Sequence, residues 1–207
     1  MTHPATSRRR KLITVACATL ISALVLSGCA ASSSPEPASP TTGGQSVDSD
    51  FLAAHDLAGL DAAQVIERLD TMPVADRPAG LIASVKPDAL VLTDDQERET
   101  QLPMPDDEVY ISVAPYREQT HDCYFHSLTT CLGELANAEV QVTLTSDDGE
   151  VLVNETRQTY DNGFIGIWMP RGIEATLTID HKGQTGTTTI STMNDDDPTC
   201  ITTLQLT

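Results

Sequence analysis

Leu12 to Leu26 form a 15-residue stretch of mainly apolar residues, broken by Thr14, Thr19 and Ser22 and preceded by Arg8-Arg9-Arg10-Lys11. A membrane-spanning helix needs about 20 such residues. A charged head, a short apolar middle and small residues at the end are the layout of an export signal. This one feature removes residues 1–28 from the fold and sends the rest of the chain out of the cytoplasm. What folds must therefore do so in an oxidising compartment, and each cysteine has to be accounted for on that basis.

The signal ends in Leu26-Ser27-Gly28-Cys29, a pattern similar to a bacterial lipobox. In signals of that type the cysteine receives a diacylglyceryl group and becomes the mature N-terminus, so Cys29 is the expected lipid anchor. Cys17 is a poor rival, because only five residues separate it from Lys11. Ser7-Arg8-Arg9 hints at twin-arginine export, but Lys11 stands where an apolar residue is usual. Residues 29–50 read as a flexible tether, rich in Ser, Pro, Thr and Gly, with little to bury. Extended, such a segment reaches on the order of 70 Å at about 3.4 Å per residue.

Without the signal, 179 residues remain, enough for one domain with a proper core or two small ones. All 30 acidic residues lie in this part against eight basic ones, a formal charge of −22. Such a surface repels nucleic acid and anionic lipid, which makes both poor partner candidates. Asp106-Asp107-Glu108 and Asp195-Asp196-Asp197 lack the alternating spacing of a calcium loop and read as solvated turns. With Cys17 removed and Cys29 lipidated, Cys123, Cys131 and Cys200 remain. Three is odd. Either one pair forms a disulfide beside a reactive thiol, or all three serve a soft metal.

Residues 51–104 read as a small, partly helical section. Asp61 suits a helix N-cap, and Val65, Ile66, Leu69 and Met72 recur at helical spacing until Pro73. Leu81–Val85 and Ala89–Leu92 read as two strands around Lys86-Pro87-Asp88. Residues 105–207 alternate with period two at Val109, Ile111 and Val113, at Val140, Val142 and Leu144, and at 175–179. Further strands are expected at 151–153, 163–169, 187–192 and 200–206, with turns at Asp147-Asp148-Gly149 and His181-Lys182-Gly183. The expected fold class is α+β: a helical section, then an antiparallel β-sandwich-like domain. His55 and His181 are expected at the surface, Phe164 and Trp168 in the core, and Arg171 beside a carboxylate.

No serine-hydrolase elbow, zinc-protease motif, phosphate loop or dinucleotide fingerprint is present. The run His121-Asp122-Cys123-Tyr124-Phe125-His126-Ser127-Leu128-Thr129-Thr130-Cys131 gathers two thiols and two imidazoles within eleven residues. Thiolates favour Cu(I) and zinc, and imidazole suits copper and zinc. On a straight helix the two cysteines would lie about 12 Å apart along the axis. Sharing a metal therefore requires the segment to fold back. A Cys123–Cys131 disulfide would account for two of the three residues equally well.

Thr120 to Cys123 and Thr129 to Leu135, then Gly163-Phe164-Ile165-Gly166-Ile167-Trp168-Met169-Pro170-Arg171-Gly172, then Thr199 to Leu204, resemble the CueP family. These are extracytoplasmic copper-binding proteins of bacterial copper resistance. The resemblance implies that Cys123, Cys131 and Cys200, assisted by His126 and His121, hold copper as Cu(I). It also implies that the metal is buffered or handed on, with Cu(II) reduction a further expectation. The expected partners are copper ions, the membrane through the Cys29 lipid, a copper-requiring envelope protein and a second copy of the chain. Two rival classes are a thiol–disulfide oxidoreductase of the envelope and a β-sandwich interaction module with a structural disulfide.

Overall fold

The structure is a computed structural model. It describes residues 43–207, with side chains from Ser49 onward. The expected signal, Cys29 and most of the expected tether lie outside these residues. The first helix, α1 (Gly43–Ala54), begins inside the stretch expected as tether. It buries Phe51 and Leu52 at its end, because these are the first large apolar side chains after the signal.

Helix α2 (Ala62–Asp70) starts at Asp61. The Asp61 carboxylate accepts from the Gln64 backbone N–H at 2.8 Å, and the Gln64 side chain accepts from the Asp61 N–H at 3.0 Å. This reciprocal capping box satisfies two otherwise unpaired donors. Val65, Ile66 and Leu69 are buried, and Met72 packs at the rim. Strands β1 (Leu81–Val85) and β2 (Ala89–Asp94) form the expected hairpin. A third strand, β3 (Glu99–Pro103), adds to β2, and polar Glu99 and Gln101 had hidden it from the apolar pattern.

Strand β4 (Glu108–Val113) opens the second region. It is followed by the two-residue β5 (His126–Ser127), then β6 (Glu139–Ser146), β7 (Val151–Gln158), β8 (Ile165–Pro170), β9 (Glu174–His181), β10 (Gln184–Ser191) and β11 (Cys200–Ile201). Three sheets result, ordered β3-β2-β1-β5, β10-β9-β6-β7 and β11-β4-β8. The last two pack face to face through Val109, Ile111, Val142, Leu144, Ile167 and Leu177, as their period-two patterns require. The fold is α+β: a small helical part followed by mostly antiparallel sheet. A second core joins α1, α2, β1 and β2 to Tyr110, Leu128 and Trp168. Residues 43–207 nonetheless belong to one compact unit.

Several local expectations need correction. The final strand is only two residues long, parallel to β4. Beyond it Gln205 bridges Tyr116, and Thr207 exchanges backbone hydrogen bonds with Thr185. His181 is buried rather than exposed, with Nδ1 2.7 Å from the Glu139 carbonyl. The β9–β10 turn is carried by Lys182 and Gly183, both at positive φ, which leaves His181 as the last strand residue. His55 is half-buried against Phe51. Arg171 donates chiefly to the carbonyls of Pro87 and Pro105, and reaches the exposed Asp195 only at 4.0 Å.

Candidate metal centre

The segment 121–131 does fold back. The N–H groups of Thr130 and Cys131 both donate to the Ser127 carbonyl, at 3.4 and 3.1 Å, and the Thr130 hydroxyl donates to Ser127 Oγ at 2.7 Å. This turn leaves Cys131 Sγ 3.6 Å from Cys123 Sγ and 3.4 Å from the Ser127 N–H. Gly133 and Gly163 make the return path possible. A Cβ on either would sit within 3 Å of the other's backbone, so only paired glycines allow this approach.

Cys200 arrives from the far end of the chain. Thr199 pins it: its hydroxyl donates to the Val85 carbonyl at 2.5 Å and accepts from the His126 N–H at 3.1 Å. The N–H groups of Thr199 and Cys200 both donate to the Tyr124 carbonyl at 3.0 Å. Cys123 and Cys200 are joined as a disulfide and Cys131 is free, so the pair is not the Cys123–Cys131 alternative. Spacing cannot select among three possible pairings.

His126 is fully buried beside Phe164, ring centroids 4.5 Å apart, with Nδ1 3.8 Å from Cys200 Sγ. A His126 nitrogen and the sulfurs of Cys131 and Cys200 lie within 4.8 Å of one another. His121, Cys123 and Cys131 form a second such trio on the more exposed side. Glu134 holds that side in place by accepting the N–H groups of Arg117, Glu118 and Gln119 at 2.9, 2.9 and 3.0 Å. All five residues read from the sequence as candidate donors therefore converge.

Sequence reasoning missed Asp70. Its carboxylate is fully buried and accepts from Tyr110 Oη at 2.7 Å, Asn162 Nδ2 at 2.8 Å, His126 Nε2 at 3.0 Å and Ser112 Oγ at 3.4 Å. A signal existed: Asp70 falls four residues after Ile66, on the apolar face of α2, where a carboxylate needs partners.

Charge in the cluster is interlocked. Burial pushes the Asp70 carboxyl up, but His126, Tyr110 and Asn162 outweigh it and hold it below its ordinary range. Burial pushes His126 down, and hydrogen bonds and charge from Asp70 and Cys131 lift it above its ordinary value. Burial raises the Cys131 thiol, yet His126, the Ser127 N–H and Arg77 together bring it below the usual thiol range. Arg77 also donates to the Cys131 carbonyl at 2.9 Å. The result is a thiol held toward its metal-binding form.

Soft sulfur and imidazole donors clustered at the margin of a β-sandwich define a domain suited to a thiophilic metal. The profile described as periplasmic copper-binding protein CueP matches residues 64–205, and the chain belongs to that family. A crystal structure of S.CueP is 41% identical in sequence, with a TM-score of 0.71, over 77% of this chain and 96% of that one. No curated protein matches the chain. The family is extracytoplasmic. Among the described residues no helix is long and apolar enough to cross a membrane.

Proposed function

We propose that this protein is a lipid-anchored copper carrier of the cell envelope. It takes Cu(I) on Cys123, Cys131 and Cys200 with His126 as an auxiliary donor, and contributes to copper resistance by sequestering the metal or handing it on. The observation that carries this reading is the meeting of three sulfurs and an imidazole from distant parts of the chain. Family membership supports copper as the cargo. Because Cys123 and Cys200 are close enough to be joined, their thiols can also supply electrons. Two Cu(II) ions oxidise two thiols to one disulfide, giving two Cu(I) and two protons, and an external reductant must then restore the thiols.

A free thiol beside a disulfide also suits thiol–disulfide exchange, the runner-up reading. In-line attack on Cys123 would place the Cys131 and Cys200 sulfurs about 5.6 Å apart, the 3.6 Å approach plus one S–S bond. They lie within 4.8 Å, in a triangle rather than a row, which favours shared metal.

The test is Cu(I) competition against a chelator on reduced, oxygen-free protein. Each of Cys123→Ser, Cys131→Ser and Cys200→Ser should weaken binding markedly, and His126→Ala less. Wild-type affinity in all three serine variants would rule out the site. Reduced protein mixed with Cu(II) should give one burst of Cu(I) and one disulfide per chain. If all three cysteines remain alkylatable after Cu(I) has formed, the electrons came from elsewhere. Cys29→Ala should release the protein from the membrane fraction, and unchanged membrane partition would remove the lipid assignment.

A further inference from the structure

Asp70 touches none of the sulfurs, yet it is the most deeply buried carboxylate among the described residues, and one of its donors is His126. We propose that Asp70 is the positioning residue of the metal centre, fixing the His126 imidazole with its proton on Nε2 and the Nδ1 lone pair turned toward Cys131 and Cys200. The proposal rests on the copper reading above.

An ionised carboxylate can only accept, so the Asp70 contact at 3.0 Å requires the hydrogen on Nε2. The other ring nitrogen, Nδ1, faces Cys200 Sγ at 3.8 Å. Phe164 packs against the ring, and Asp70 is itself immobilised. Asn162 donates to both its backbone carbonyl, at 3.2 Å, and its Oδ1, while Tyr110 donates to Oδ2. Tyr110 keeps this place because Gly166 has no side chain. A Cβ there would collide with the Tyr110 ring. A carboxylate behind a metal-binding imidazole fixes its tautomer and raises its basicity, and losing such a partner typically costs about 10–100-fold in affinity. Here the carboxylate comes from α2 and the imidazole from β5, which gives the helical section a task in metal binding.

Asp70→Asn is the informative change. The amide can turn its NH₂ toward the Tyr110 and Ser112 oxygens and still accept from His126, so the fold has a route to survive. Cu(I) affinity should fall by roughly 10–100-fold. In a His126→Ala background the same change should cost nothing further. Long-range proton–nitrogen NMR on reduced protein reads the tautomer directly. In the wild type, Nε2 should carry the proton with and without Cu(I), and Cu(I) should move Nδ1. In Asp70→Asn the two tautomers should mix. Wild-type affinity in Asp70→Asn, an equal loss in the His126→Ala background, or a Cu(I)-induced change at Nε2 would each overturn the proposal while leaving the copper reading intact. A wild-type chain that takes no Cu(I) would sink both. The wild-type spectra need no variant, so a misfolded Asp70→Asn leaves the assignment testable.

Discussion

The two halves of the molecule use their interiors differently. The sandwich of β4, β6, β8, β9 and β10 buries a continuous apolar core, to which the first four strands contribute alternate residues and β10 contributes Ile190. The smaller region around α2, β1 and β2 buries apolar residues too, but runs them up against Asp70, Ser112, Asn162 and His126. One core is built for cohesion alone; the other also holds a fully paired polar network whose last member looks onto the sulfurs. Such a network is stable only while each group keeps its partner. The metal chemistry should therefore depend far more on the smaller core than on the larger.

The largest expected effect separates the two directly. Ile66→Ala and Leu177→Ala each remove a fully buried side chain and should each cost about 2–5 kcal/mol in denaturant unfolding. Ile66 lies one helical turn from Asp70, so its loss should also weaken Cu(I) binding by the protein that stays folded. Leu177→Ala should leave that affinity unchanged. Equal loss of affinity in both would erase the distinction.

A smaller effect should appear in the dependence of stability on pH. Asp70 is held below its unfolded value, so its contribution is present above the carboxylate range and is lost as pH falls through the folded value. His126 is held above its unfolded value, so its contribution is complete below the ordinary imidazole range and is lost as pH rises through the folded value. Metal-free protein should thus melt highest between those two ranges. A Cys131→Ser background removes the depressed titration of that thiol and leaves Asp70 as the group that lifts His126, so the alkaline limb should be shallower there than in the wild type. Adding His126→Gln should flatten the alkaline limb, and an unchanged limb would show that another group controls it.

The smallest effect tests the other end of α2. Asp61→Ala should cost about 1 kcal/mol by removing the N-cap. It should leave Cu(I) affinity alone, because Asp70 is held by its own hydrogen bonds at the opposite end. A tenfold loss of affinity would mean that the whole helix, rather than its last residue, sets the site.

Much of the fold was legible wherever periodicity and turn chemistry agreed. Asp61 and the Val65-Ile66-Leu69 stripe announced α2, and Val109, Ile111 and Val113 announced β4. The β9–β10 hairpin could be read from its Lys182-Gly183 turn. The cysteine-histidine run stood out because soft donors are rare at that density. What could not be read was set by long-range pairing. A two-residue strand such as β5 has no period to detect, and for β11 the expected strand at 200–206 gave neither its two-residue length nor its parallel pairing with β4. Which two cysteines join depends on Thr199 meeting Val85 across 114 positions of sequence. Glu134 became a clasp for three consecutive N–H groups only through the backbone path of residues 117–119.

Strand β5 has a consequence apart from copper. The small sheet runs β3-β2-β1-β5, so the sulfur-bearing segment covers the open side of β1. Ser84 and Val85 pair with Ser127 and His126, and the Leu128 N–H donates to the Ala83 carbonyl at 2.9 Å. Leu81-Ile82-Ala83-Ser84-Val85 is apolar except for Ser84, uncharged and free of proline, the composition that invites another chain to add a strand. The loop that gathers the sulfurs thus also acts as a guard against aggregation. Wherever residues 121–131 come away, β1 presents a bare backbone edge to its neighbours.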